Sequence, residues 1–199
     1  MLAPGCATVV EYNPVDQNEL YGKNVLVLES SYTPPLPQSI LATVQNRFEE
    51  ELRRIPHLGT VISRQEFRAV NQGDRLVLQD YAVLSDSLSI VGLTDREITV
   101  RLRESQNVDL VAMVQVLQLP CEFCEQDSRL GIIAMLLDTA TGELRWRAHL
   151  SEDIELDPSP GDLAEIADEL SDELIGMLEN LLEPKWHRLR FENMRKPSA

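Results

Sequence analysis

Residues 109–151 read DLVAMVQVLQLPCEFCEQDSRLGIIAMLLDTATGELRWRAHLS, and this stretch decides the fold. Three of its segments, Asp109 to Leu119, Arg129 to Asp138 and Glu143 to Ser151, are rich in aliphatic, β-branched and aromatic residues and have strand length. Thr139-Ala140-Thr141-Gly142 between the last two is a tight reversal, in which Gly142 can take a positive φ at no steric cost. The three segments predict an antiparallel meander.

Upstream, Thr94-Asp95-Arg96-Glu97 reads as a capping box: the Thr hydroxyl and the Glu carboxylate would satisfy two orphan amides at the start of a helix over about 95–105. The stretch 75–90 carries Leu76, Leu78, Tyr81, Leu84 and Leu88 and predicts a helix, although its β-branched content leaves the assignment unsettled. Asn71-Gln72-Gly73-Asp74 is a break, and Thr60-Val61-Ile62-Ser63 reads as a strand leading through Arg64-Gln65-Glu66-Phe67 into a short helical turn. Before it, Ile40, Leu41, Val44, Phe48, Leu52 and Ile55 recur at helical steps, with Glu49, Glu50, Arg53 and Arg54 on the other face and Pro56 as the stop. Asn24 to Leu28 is a short apolar run that predicts a buried strand, after which Pro34, Pro35 and Pro37 block regular pairing.

Downstream, Ser159-Pro160-Gly161-Asp162 predicts a helix start, with Ser159 as N-cap, Pro160 at the first helical position and Asp162 at the positive end of the dipole. Leu163, Ile166, Leu170, Leu174, Leu178 and Leu181 form the apolar stripe of that helix, and Pro184 ends it. These elements predict an α/β (α+β) domain over 24–183: a mixed sheet with an antiparallel C-terminal meander, one side buried beneath amphipathic helices. Residues 1–23 read as a lipobox-like start and flexible tether, and 184–199 as a tail of reversed sign carrying Lys185, Arg188, Arg190, Arg195 and Lys196.

At 199 residues, 43% of them hydrophobic, the chain can bury one core. Its 33 acidic against 18 basic residues give a charge of −15, a field that repels phosphate backbones and argues against nucleic acid as a partner. No run of about 18 apolar residues occurs, so any membrane attachment is expected to be covalent or peripheral. The start Met1-Leu2-Ala3-Pro4-Gly5-Cys6 places small residues before a cysteine, as at the end of a lipoprotein signal. It is too short to hold the charged and apolar regions of such a signal, so the expectation is a signal beginning upstream and a lipid on Cys6.

Cys121-Glu122-Phe123-Cys124 is the sharpest local motif. A redox centre, a metal site and a small disulfide compete as readings. Redox pairs normally sit at a helix N-terminus, whereas this one lies between two predicted strands and beside Glu122 and Glu125, which raise a thiol's pKa. Zinc needs four ligands, and His57, His149 and His187 have no metal-site spacing to the pair. A disulfide joining Cys121 and Cys124 is the preferred reading; a thiol-disulfide oxidoreductase using both is the catalytic alternative. Neither a nucleophile elbow nor a phosphate-binding glycine loop is present, so the sequence predicts no enzyme and no cofactor. Between Ala148 and Pro184 there is no Lys or Arg, while acidic residues recur throughout. A solvated face is the plain explanation. The other is a docking surface for a basic partner or for the tail of a second copy, with Asp168, Glu169, Asp172, Glu173, Arg188 and Arg190 as contacts.

Four phrases in order resemble landmarks of CsgG-like and TolB N-terminal-domain-like periplasmic modules, LpoB-type activators included: Val25 to Leu28, Val61 to Phe67, Asn107 to Val114, and the D-x-x-T-G-x-x-x-W hairpin from Asp138 through Thr141 and Gly142 to Trp146. The resemblance spans about 24–183, and Asn107-Val108-Asp109 departs from the Gly-Ala-Asp more usual at that place. It implies a two- or three-layer α/β domain of a lipoprotein in the Gram-negative periplasm, with the outer membrane as the expected anchor, serving as a non-catalytic helper that binds another envelope protein. A structural subunit of a larger membrane-associated complex is the alternative. No catalytic residue carries over; Asp138, Thr141, Gly142 and Trp146 carry over as structural landmarks.

Overall fold

The computed structural model describes residues 10–12, 20–29, 36–55, 57–91, 94–120, 128–154 and 158–182. Cys6, Pro34, Pro35, Pro56, Cys121, Cys124, Pro184, Arg188 and Arg190 lie outside them. In chain order the elements are β1 (Val10–Tyr12), β2 (Val25–Val27), α1 (Gln38–Arg54), β3 (Val61–Ile62), α2 (Arg64–Val70), α3 (Arg75–Val91), α4 (Arg96–Gln106), β4 (Leu110–Pro120), β5 (Ser128–Asp138), β6 (Leu144–Ile154) and α5 (Pro160–Leu182). The strands form one mixed sheet in the order β1-β6-β5-β4-β2-β3. β4, β5 and β6 make the expected antiparallel meander, while β2 runs parallel to both β3 and β4.

Helices cover both faces, not one. Leu110, Ala112, Val114, Leu130, Ile132, Trp146 and Leu150 point to the side held by α1 and α5. Val111, Met113, Ile133 and Met135, one residue out of phase, point to the side of α2, α3 and α4. The physical reason lies in the unbroken apolar runs 110–114 and 132–137: a strand with one solvated face alternates, and a strand buried on both cannot. Each fully buried Val, Leu, Ile or Met among them contributes about 1.5–3 kcal/mol. Residues 75–91 are helical because Val77, Tyr81, Leu84 and Leu88 form one buried stripe. Tyr81 stacks on Phe67 with ring centroids 4.9 Å apart and donates its hydroxyl to the Val27 carbonyl at 3.3 Å.

Several local expectations are corrected. Val10–Tyr12, inside the stretch read as a tether, pairs antiparallel with β6. The N-cap of α4 is Asp95, whose carboxylate accepts from the amides of Glu97 and Ile98; Thr94 instead donates its hydroxyl to the Gly142 carbonyl at 2.6 Å and ties the helix start to the β5–β6 turn. A full capping box does occur, at Ser63 and Glu66 before α2. Glu49, assigned to the solvent side of α1, is buried because Arg64 reaches it with an Nε–Oε1 distance of 2.7 Å.

The hairpin landmark has a structural explanation. Asp138 Oδ1 accepts from the amides of Ala140 and Thr141, and Gly142 sits at φ 73°. Thr139 is buried, with its hydroxyl 2.7 and 2.9 Å from the carbonyls of Val108 and Asp109, which locks the turn to the start of β4. Asn107 ends α4 at φ 54°, a conformation that Gly adopts freely and Asn tolerates, so the departure from Gly at this position is accommodated. Trp146 is wholly buried on the α1–α5 side.

Candidate functional site

The sequence concentrates unneutralised charge on α5, and the structure divides that charge into two rails. The helix starts as expected: the Asp162 amide donates to Ser159 Oγ at 3.2 Å, and Pro160 is the first helical residue. Leu163, Ala167, Leu170, Leu174, Ile175 and Leu178 are buried against the sheet and α1; Ile166, expected in the stripe, packs only at its edge. That orientation leaves Glu165, Asp168, Glu169, Asp172 and Glu173 on the outside, with Asp168 half-buried.

Asp168 and Asp172, one turn apart, face α1. Arg47 lies between them, 3.1 Å from Asp168 Oδ1 and hydrogen-bonded to Asp172, so this rail fastens α5 to α1. Two of the four expected acidic contact residues are therefore engaged within the chain. Arg47 was not singled out in the sequence, because 125 positions separate it from Asp172.

Glu169 and Glu173 form the second rail, and β6 adds Glu152 to it. Burial pushes the Glu152 carboxyl above the ordinary carboxylate range, and the charges of Glu169, Asp153 and Glu173 push it further. Glu152 belongs to the acidic stretch of the sequence, but its place at the site follows from strand parity. It shares the face of Ala148, Leu150 and Ile154, which is the face α5 covers. Glu169 and Glu173 form no ion pair with a described residue. Glu152, Glu169 and Glu173 thus make a self-repelling carboxylate surface that a cationic group would relieve.

The other candidate residues are distributed apart from it. His57 stacks on Tyr21 with centroids 5.4 Å apart, near the β2–β3 edge, and His149 lies on the opposite sheet face from Glu152. Among the described residues, no group of three or more His, Cys, Asp or Glu is placed to hold a metal ion, and no helix is long and apolar enough to cross a membrane. The strands flanking Cys121 and Cys124 pair with each other as far as Pro120↔Ser128.

These features define an α+β domain with a charged helix surface. No protein-family model matches the chain, and no curated protein matches it. Among solved structures it is similar to a PelC dodecamer from Paraburkholderia phytofirmans (14% identity, 89% of this chain and 99% of that one, TM-score 0.44). It is also similar to the lipoprotein GNA1162 from Neisseria meningitidis (15%, 76% and 96%, 0.42) and the LpoB C-terminal domain from Salmonella enterica (14%, 70% and 96%, 0.38). At these identities and scores the likenesses assign no partner and no activity.

Proposed function

We propose that this chain is a non-catalytic accessory protein of a Gram-negative envelope, held at a periplasmic membrane surface by a lipid on Cys6, that binds and helps assemble or activate another envelope protein complex. The observation that carries the reading is the carboxylate surface of Glu152, Glu169 and Glu173. Its like charges destabilise the isolated fold, and a basic partner surface converts that repulsion into attraction. The order of the hairpin and strand phrases, similar to CsgG-like and TolB-like modules, supports the envelope setting. Asp168 and Asp172 contribute indirectly, by setting α5 against α1. Arg188 and Arg190 of a second copy offer the same cationic chemistry, which makes self-association one form of the proposal.

Affinity purification from native membranes, compared at low and high salt, tests it. The account expects one membrane-associated partner, or a second copy, that is retained at low salt and released as salt screens the contact. It also expects loss of that partner from an E169K/E173K double variant whose melting temperature is equal to or above the parent's, since the change removes the repulsion around Glu152. A partner held equally by the double variant contradicts the surface assignment. Absence of fatty-acid label on the full-length product with Cys6 intact contradicts the anchor.

A further inference from the structure

On the sheet face away from α5, a cavity of about 420 Å³ opens between the C-terminal end of α3 and strands β4, β5 and β6. Leu88 roofs it, and Leu117, Ile133 and Met135 supply much of its apolar wall. Its volume is in the range of small-molecule sites, and its lining mixes apolar with polar side chains. Besides the hydroxyls of Ser89 and Thr94, two larger polar side chains line it. Gln115 is committed to the fold, donating Nε2 to the Ser89 carbonyl at 3.1 Å. Arg147 is not: its Nε is buried with no hydrogen-bond partner among the described residues.

The pairing of nearby arginines makes Arg147 unusual. Arg129 is paired with Asp153, and Arg145 approaches Asp138 at 3.4 Å; Arg147 has no ion pair among the described residues. Carboxylates are not scarce in a chain with 33 acidic residues. Leaving the Nε–H of a partly buried guanidinium without an acceptor against an apolar wall is costly, since a buried polar group needs a partner. His149, two residues along the same face, has a buried Nε2 that likewise finds no partner among the described residues. Its pKa is lowered by burial and then by Arg147 and Arg129, as a locally positive environment requires.

We infer that this cavity binds an amphiphilic anion, with its apolar body against Leu117, Ile133 and Met135 and its single anionic head on Arg147. The inference is independent of the proposed protein-docking surface, which lies on the other side of the sheet.

Dodecanoate titrated into the full chain by calorimetry tests it, with dodecanol and inorganic phosphate as the head-free and tail-free controls. The expected result is saturable dodecanoate binding at least about tenfold tighter than either control, since a charge-assisted contact to a buried group is worth that much. R147Q should weaken dodecanoate at least about tenfold and bring it to the level of dodecanol, while R147K retains most of it. The melting temperature of ligand-free R147Q should equal or exceed that of the parent, because the substitution removes a partly buried guanidinium whose Nε–H has no acceptor among the described residues; a structural arginine would give a fall. If R147Q does not fold, Ile90→Glu decides: Ile90 is 81% exposed on the cavity rim, so the change spares the core and sets a repelling carboxylate beside the mouth. Weakened dodecanoate binding in I90E then supports the inference. No dodecanoate binding by the parent, dodecanol binding as tightly, phosphate binding as tightly, or binding undiminished in both R147Q and I90E each overturns it.

Discussion

The two faces of the meander are built from the same three strands and differ in how they end. On the α1–α5 side the apolar surface continues across the sheet, from Val25 through Ala112 and Ala134 to Ala148 and Leu150. On the side of α3 and α4 it starts apolar at Leu26, Val111 and Met113 and turns polar at β6, where Arg147 and His149 occupy the corresponding positions. The helices of the first half of the chain cover β2 to β5 on that side, and the polar margin of β6 borders the cavity. The difference teaches that one face is committed to stability, whereas the other ends in a polar margin at β6.

The largest expected effect is a contrast in core truncation. Trp146→Ala, on the continuous face, should cost about 3–5 kcal/mol in urea unfolding, and Leu136→Ala a similar amount, because each leaves a closed void. Met135→Ala, at the cavity wall, should lie near the lower end of that series, about 2 kcal/mol, since its loss enlarges a space already open. Equal losses on the two faces would break the comparison. Next, Gly142→Ala should cost about 1–2 kcal/mol, because φ is 73° and a Cβ would stand 3.1 Å from Thr94 Oγ1. Hydrogen exchange should show the α4 start loosening together with the turn.

The faces also differ in how they respond to pH. His149 has a folded pKa below its usual 6.5, so the folded state holds fewer protons than the unfolded chain in the window beneath that value. Its contribution is intact above 6.5 and is lost as pH falls through the window; His149→Gln should flatten that part of a stability–pH curve. Glu152 runs the other way: its folded pKa is raised above 4.5, so the folded state holds more protons and stability falls as pH rises through the window. Glu152→Gln should therefore stabilise at pH 7 by less than about 1 kcal/mol, with the gain vanishing as pH falls toward 4.5. The smallest effect belongs to Arg47→Ala, whose partly exposed pairs with Asp168 and Asp172 are worth under about 1 kcal/mol.

Much of the architecture was legible in the sequence, for identifiable reasons. The meander, α1 and α5 announce themselves through long periodic runs, and Ser159 and Pro160 mark the start of α5. Coverage of both sheet faces was also written in the runs 110–114 and 132–137, whose lack of alternation is the signature of a doubly buried strand. Pairing of β2 with β3 and β4 was not legible, since two- and three-residue strands carry no period. Neither was β1, which lies among residues with turn chemistry. Glu49 illustrates the limit of helical-face arguments: a charge belongs on the outside until a partner such as Arg64 arrives from another element. The candidate site was half legible for the same reason. The carboxylates are visible in the sequence, but tertiary contact decides that Asp168 and Asp172 share the Arg47 guanidinium while Glu169 and Glu173 join Glu152.

Site-specific photo-cross-linking in intact envelopes, with the reactive group at position 169 on α5 and, in a parallel strain, at position 90 on α3, is the most direct measurement. The account predicts a discrete protein adduct from position 169 that disappears when Glu173 is changed to Lys, and none from position 90. Adducts from position 90 alone, or an adduct at 169 indifferent to the charge reversal, would contradict it.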